Sequence, residues 1–193
     1  MVYVNIHNKL IELKIVYYGA GMSGKTTNLI QLHQGLREQH KGQMVSLATE
    51  SESTIFFDFF PVELGQINGM SVRLRMYTVP GQDFYEASRR LVLEGADGVV
   101  FVIDSDPARE PANYASYEDL CKNLKACHSA IERIPVIFQY NKRDIPRALA
   151  VGSVEAKVGF TPLQVFEAVA SRGEGVKQTA QAISRSVVER FAF

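Results

Sequence analysis

Residues Gly19-Ala20-Gly21-Met22-Ser23-Gly24-Lys25-Thr26 follow an apolar, β-branched run from Ile11 to Tyr18 and lead directly into a helical pattern from Lys25 to Gln39. This is GxxxxGK[ST] in a strand-turn-helix setting, and no other feature of the chain restricts its fold as strongly. The glycines let the backbone curl so that its N–H groups face one concavity, and the helix that follows adds the positive end of its dipole. A loop of this kind holds a polyphosphate. Gly19 to Gly24 supply the cradle, Lys25 places a charge near the β and γ phosphates, Thr26 offers its hydroxyl to Mg²⁺, and Thr27 continues the same turn. By chance the pattern arises roughly once in 150 chains of this length, so a mere Gly-rich helix cap is the weaker reading. The loop alone leaves the base open between adenine and guanine.

Further apolar runs at Met44 to Ala48, Val72 to Val79, Gly98 to Asp104, Pro135 to Tyr140 and Val165 to Ala170 read as strands. Most are apolar nearly throughout, as expected for parallel strands covered on both faces. Val72, Leu74 and Met76 instead alternate with Arg73, Arg75 and Tyr77, which predicts one wetter face. Helical patterns fall between them at Tyr85 to Glu94, Tyr114 to Ala130 and Val176 to Phe191, while Asp106 to Asn113, with two prolines, reads as a mobile loop. The alternation predicts a doubly wound α/β sheet, mostly parallel with one antiparallel strand, with helices on both faces and the ligand beyond the carboxyl ends of the strands. At 193 residues and 46% apolar content the chain suits a single domain spanning 1–193.

The 21 basic and 21 acidic side chains cancel, so no broad positive field favours nucleic acid. Cys121 and Cys127 match neither a zinc pair nor a redox CxxC and read as free cytosolic thiols. The sequence shows no basic leader with an apolar run, no membrane-length apolar stretch and no prenylation box, so the expected location is the cytoplasm, with membrane contact through partners.

The base is read from Asn141-Lys142-Arg143-Asp144, which follows the apolar strand IPVIFQY. This is NKxD. The Asp144 carboxylate can accept from guanine N1–H and the exocyclic amine, whereas adenine presents an acceptor at N1 and is repelled. Lys142 can lie along the base, and Asn141 can tie the motif to the phosphate loop. Either motif alone has a bland alternative, but in this order they point to a guanine nucleotide.

The segments KIVYYGxGxxGKTTNL, TxxxTxFFDFxP, YTVPGQxFYxASR, DGVVFVxDS and QYNKRD, running from Lys14 to Asp144, closely resemble the bacterial MglA family of Ras-like small GTPases. Downstream the resemblance continues more thinly in AVAxxGxGV, Ala168 to Val176. It implies a Ras-like P-loop fold, GTP and GDP as alternating ligands with Mg²⁺, and a switch recruited to a cell pole through partners to control polarity and motility. It implies a Roadblock-type homodimeric activating protein (MglB-like) and polarity or motility effectors. Residue by residue, it places Gly81 at the γ-phosphate, Gln82 at the attacking water, Thr54 on Mg²⁺ and the γ-phosphate, and Ala170 at the guanine oxygen through its amide. Ser171 stays open. Lys25, Thr54 and Gln82 are therefore the expected catalytic residues, and Thr26 and Thr54 the metal ligands.

Two positions depart from Ras-like patterns. Thr78 replaces the acidic residue that opens the second switch, a trait the MglA family shares. Ser53 stands where that family carries an arginine acting in cis, and such an arginine is worth roughly 10³ to 10⁵ in rate, or about 4 to 7 kcal/mol. The expectation is slow hydrolysis unless an arginine comes from elsewhere, with Arg73 and Arg75 as candidates within the chain. The alternatives are a catalytically impaired GTP-binding scaffold and an ATP-using small-molecule kinase. Retained Gln82 argues against the first, and NKRD with no visible lid against the second. Phe56, Phe57, Phe59 and Phe60 form an apolar run that is either core or a partner surface exposed in one nucleotide state.

Overall fold

Strand β2 (Leu10–Tyr18) carries Ile11, Leu13 and Ile15 on one side and turns fully buried from Ile15 to Tyr18, so its carboxyl half is enclosed on both faces. The computed structural model describes residues 3–5, 9–48, 55–80 and 86–192, with the side chains of 3–5, 46–48, 55–58, 86 and 192 outside the description. The other strands are β1 (Tyr3–Asn5), β3 (Val45–Ala48), β4 (Ile55–Ile67), β5 (Met70–Thr78), β6 (Gly98–Asp104), β7 (Val136–Asn141) and β8 (Gln164–Glu167). They join one sheet in the order β3-β4-β5-β2-β6-β7-β8, with β1 added alongside β2. Strands β5, β2, β6, β7 and β8 pair in parallel, and β4 is the antiparallel member between β3 and β5. Short β1 also runs antiparallel to β2. The doubly wound, mostly parallel sheet is the one expected.

Helices α1 (Lys25–Gly35) and α5 (Val176–Ala192) cover one face, where Leu29, Leu32, Val176, Ala180, Ile183 and Val187 pack against the sheet. On the other face, α2 (Glu86–Leu93), α3 (Glu110–Ala126) and α4 (Ser153–Val158) bury Leu93, Leu120, Leu124 and Val154 against Phe101 and Phe138. All seven residues of β6 and all six of β7 are buried, which is why both read as unbroken apolar runs. Each large side chain enclosed this way contributes about 1.5–3 kcal/mol. Alternation in β5 holds as predicted, with Val72, Leu74, Met76 and Thr78 buried and Arg73, Arg75 and Tyr77 only partly so.

Three differences have local causes. Asp106 to Asn113 is a 3-10 turn, Pro107–Arg109, running into α3 from Glu110, because Asp106 caps the turn through Ala108 N–H and each proline sits at a first helical turn. Strand β4 and its hairpin with β5 escaped the periodicity. Their signal is Asn68-Gly69, with φ 50° and 76°, a two-residue turn whose twist suits a hairpin. Helix α4, two turns long, has too few residues to show a period. Of the aromatic run, Phe60 is core, edge-on to His33 at 5.1 Å, and Phe59 stacks on Tyr77 at 4.7 Å. Phe56 and Phe57 have side chains outside the description.

Candidate nucleotide site

The sheet order reverses between β5 and β6 around β2, and the loop after β2 leaves the carboxyl edge at that switch point. Its two key glycines are dictated by space as well as by dihedral angle. Gly19 has φ 143°, and a Cβ there would lie 2.2 Å from the Val102 carbonyl oxygen. Gly24 has φ 99°, and a Cβ there would meet Asn141 Nδ2 at 2.2 Å. The buried Lys25 ammonium curls back to donate to the carbonyls of Gly19 and Ala20, each at 2.8 Å. The loop's flexed glycines, the Lys25 charge and the start of α1 form a donor set that suits a polyphosphate and has no use for a cation other than one brought with it. Thr26 and Thr27 are half-exposed on the first turn of α1.

Beneath the loop, a buried polar chain fixes α1 to the sheet. Gln139 Nε2 on β7 donates to Asn28 Oδ1 and to Thr179 Oγ1, both at 3.0 Å, and Asn28 Nδ2 donates to the Gly24 carbonyl at 3.0 Å. These bonds hold the loop's end in one position, although the buried Gln139 Oε1 is left without a partner among the described residues.

The Asn141-Lys142-Arg143-Asp144 segment begins at the last residue of β7. Asn141, 2% exposed, donates through Nδ2 to the Ser23 carbonyl at 2.8 Å and accepts through Oδ1 from the Ala170 amide at 2.9 Å. It thereby joins the phosphate loop, NKRD and the loop after β8. Lys142 adopts φ 63° and sends its ammonium to Asp104 Oδ2 at 2.6 Å. Arg143 braces the loop from outside, donating to Glu167 at 2.7 Å and to the Leu149 carbonyl at 2.6 Å. The Asp144 carboxylate, 31% exposed, faces Arg172 at 3.4 Å. Ala170, expected at the base, directs its amide to Asn141.

Gly19 to Thr27, Asn141, Lys142, Asp144 and Ala170 thus gather at one edge of the sheet. Thr78 is buried at the same edge, paired with Tyr17 at the end of β2. Ser53, Thr54, Gly81 and Gln82 lie outside the described residues. Arg73 and Arg75, the arginines expected as candidates within the chain, are both engaged in ion pairs on the open face of β5. Arg75 Nη2 holds both Glu12 oxygens at 2.6 Å, and Arg73 is shared between Glu63, at 2.5 Å, and Glu12, at 3.5 Å. Both point from the open face of β5 toward the amino half of β2, with Glu12 paired to Arg73 in the register. Sequence reasoning missed Arg109, which donates to the Gly21 carbonyl at 2.8 Å, and Arg172. An arginine shortly after the Asp104-Ser105 pair at the end of a buried strand was the only available signal. A separate groove between α1, α5 and the β4–β5 hairpin, lined by Leu32, Leu36, Val62, Met76 and Val188, contains none of these residues. No helix among the described residues is long and apolar enough to cross a membrane.

Comparison with known proteins agrees with this geometry. Residues 2–187 match the family described as the ADP-ribosylation factor (Arf) family. The chain is also 44% identical over 188 residues, 97% of its own length and 96% of the relative's, to the mutual gliding-motility protein MglA of Myxococcus xanthus (strain DK1622).

Proposed function

The chain belongs to the ADP-ribosylation factor family as an MglA-like, Ras-like small GTPase, and from that premise we propose that it is a slow GTP/GDP switch controlling cell polarity and motility. The observation that carries the guanine-nucleotide reading is Asn141, whose one side chain binds the loop after β2 and the loop after β8. That junction supports a reading in which Asp144, three residues on, reads a base bound beside the loop after β2. GTP and GDP are the ligands this arrangement suits. When bound, Mg²⁺ would neutralise charge on the phosphates, held by the hydroxyls of Thr26 and Thr54.

The chain's own residues supply the rest. Lys25 exchanges its loop carbonyls for phosphate oxygens, Asp144 accepts from the guanine edge, Lys142 flanks the base, Gly81 approaches the terminal phosphate and Gln82 orients water. With Ser53 in place of an arginine, and with Arg73 and Arg75 bound by Glu12, hydrolysis by the isolated chain is slow. A Roadblock-type homodimer of the MglB kind accelerates it, and the GTP form gathers motility and polarity effectors at a pole of the cytoplasm.

Single-turnover hydrolysis of radiolabelled GTP, alone and with the Roadblock partner of the same organism, tests this reading. Expected is tight guanine binding with no measurable ATP binding, slow hydrolysis alone, acceleration by the partner, and acceleration of the isolated chain by Ser53→Arg. Tight binding without turnover in any arm would replace the switch with the GTP-binding scaffold. Preference for ATP would sink both.

A further inference from the structure

Arg109 ends the 3-10 turn Pro107–Arg109, and its Nη2 donates to the Gly21 carbonyl at 2.8 Å. Contacts of three residues, Asp106, Asp104 and Asn113, present it there. Asp106 accepts Ala108 N–H at 2.9 Å with its side chain and Arg109 N–H at 2.8 Å with its carbonyl, which shapes the turn. Asp104, fully buried at the end of β6, lies with Oδ2 4.0 Å from Arg109 Nε, and the same oxygen takes the Lys142 ammonium. Asn113 in turn clamps the Asp104 backbone, accepting its N–H at 3.0 Å and donating to its carbonyl at 2.9 Å. The arginine therefore reaches the phosphate loop from a turn that is itself fixed to a buried strand.

The Gly21–Met22 peptide is trans, as are all the others described, so its carbonyl and its N–H point in opposite directions. Gly21 oxygen faces Arg109, and Met22 N–H therefore faces away from it. Met22 has φ 62°, a conformation uncommon outside glycine, and Arg109 holds the carbonyl of the peptide that leads into it. A cation at the carbonyl end also polarises the amide and makes the N–H a better donor.

We infer that Arg109 is a positioning residue of the nucleotide site, one that fixes and polarises the Gly21–Met22 peptide so that Met22 N–H is held as a donor to the polyphosphate. This rests on the reading of the loop as a GTP site. Arg109 acts here as a positioning residue and not as a stand-in for an arginine at Ser53, because its Nη2 is engaged by the Gly21 carbonyl. Its sharing of Asp104 with Lys142 links the base-reading half of the site to the phosphate half.

The test compares wild type, Arg109→Ala and Arg109→Lys by three readouts: release of a fluorescent GDP, single-turnover GTP hydrolysis, and the ³¹P resonance of the β-phosphate of bound GDP. Loss of one charge-assisted hydrogen bond predicts about tenfold faster release and about tenfold slower hydrolysis for Arg109→Ala, with a displaced β-phosphate resonance. Arg109→Lys falls between, since an ammonium can reach the carbonyl without the planar fork. A role confined to holding the turn together would lower thermal stability without moving the resonance. Should Arg109→Ala not fold, the resonance of Arg109→Lys against wild type decides. Unchanged resonance and release in the folded variants overturn the inference and leave the GTPase reading intact. A wild type that binds no guanine nucleotide overturns that reading first, and this one with it.

Discussion

Asn141 and Ser23 stand 118 residues apart in the chain, and the side-chain amide of the first donates to the backbone carbonyl of the second at 2.8 Å. Asn141→Ala removes that bond and the one to the Ala170 amide, leaving two buried backbone groups without partners. Each orphaned group costs about 1–3 kcal/mol, and the loops it joined lose their common register. GDP release from Asn141→Ala should therefore be at least about tenfold faster than from wild type in a fluorescent-nucleotide chase. Equal release rates would show that the junction does not hold the site.

Gly19 tests the phosphate loop by sterics alone. A Cβ at this position would lie 2.2 Å from the Val102 carbonyl oxygen, and φ 143° is strained for any side chain. Backbone cannot yield as a flexible side chain would, so Gly19→Ala should lose nucleotide binding and about 1–3 kcal/mol of stability. Calorimetric titration with GDP and urea unfolding measure the two separately. Full-strength binding by this variant would contradict the geometry of the loop.

Asp144 lends itself to a swap of base. An asparagine there keeps an acceptor for N1–H but turns the second contact from acceptor to donor, which suits the 2-oxo group of xanthine and opposes the amine of guanine. One matched and one mismatched bond predict a change of about tenfold to a hundredfold in the xanthine-to-guanine affinity ratio for Asp144→Asn. Arg172 should matter far less. Its pair with Asp144 is exposed, 61% and 31%, and such pairs contribute about 1 kcal/mol or less. Competition binding with GDP and XDP reads the ratio, and a ratio equal to that of wild type would mean that Asp144 does not read the base.

How far the sequence revealed this site depends on the range of each signal. The phosphate loop, NKRD and the buried strands β6 and β7 were legible because each is specified by contiguous residues whose chemistry and burial follow from local pattern. The Asp106–Asn113 turn was misread because two prolines look like loop punctuation, whereas here each occupies a helical first turn that needs no amide donor. The ion pairs of Arg73 and Arg75 with Glu12 were not legible, since they arise from the pairing of β2 with β5, more than sixty residues apart. The same holds for Arg109. What makes it part of the site is an 88-residue separation closed by the fold, and no one-dimensional pattern encodes that contact.

Tyr140 immediately precedes Asn141 on β7, and its hydroxyl ties the packing of α4 against β7 to pH. The hydroxyl accepts the amides of Gly152 at 3.1 Å and Val154 at 3.0 Å and donates to Glu155, so it organises the first turn of α4. Burial, reinforced by the bond to Glu155, pushes its pKa up to about 12. A folded-state value above the ordinary one of about 10 means that the protonated form stabilises the fold. That contribution is fully present below about pH 10 and is lost as pH rises through about 12. Tyr140→Phe should therefore be less stable than wild type by about 1–2 kcal/mol at pH 7, and the gap should narrow between pH 10 and 11. Burial also raises Tyr17 and Tyr18, but they are common to both proteins and cancel in the difference. Urea unfolding of the pair at pH 7, 10 and 11 measures the gap, and a gap that widened with pH would mean that the Tyr140 hydroxyl is not held protonated by the fold.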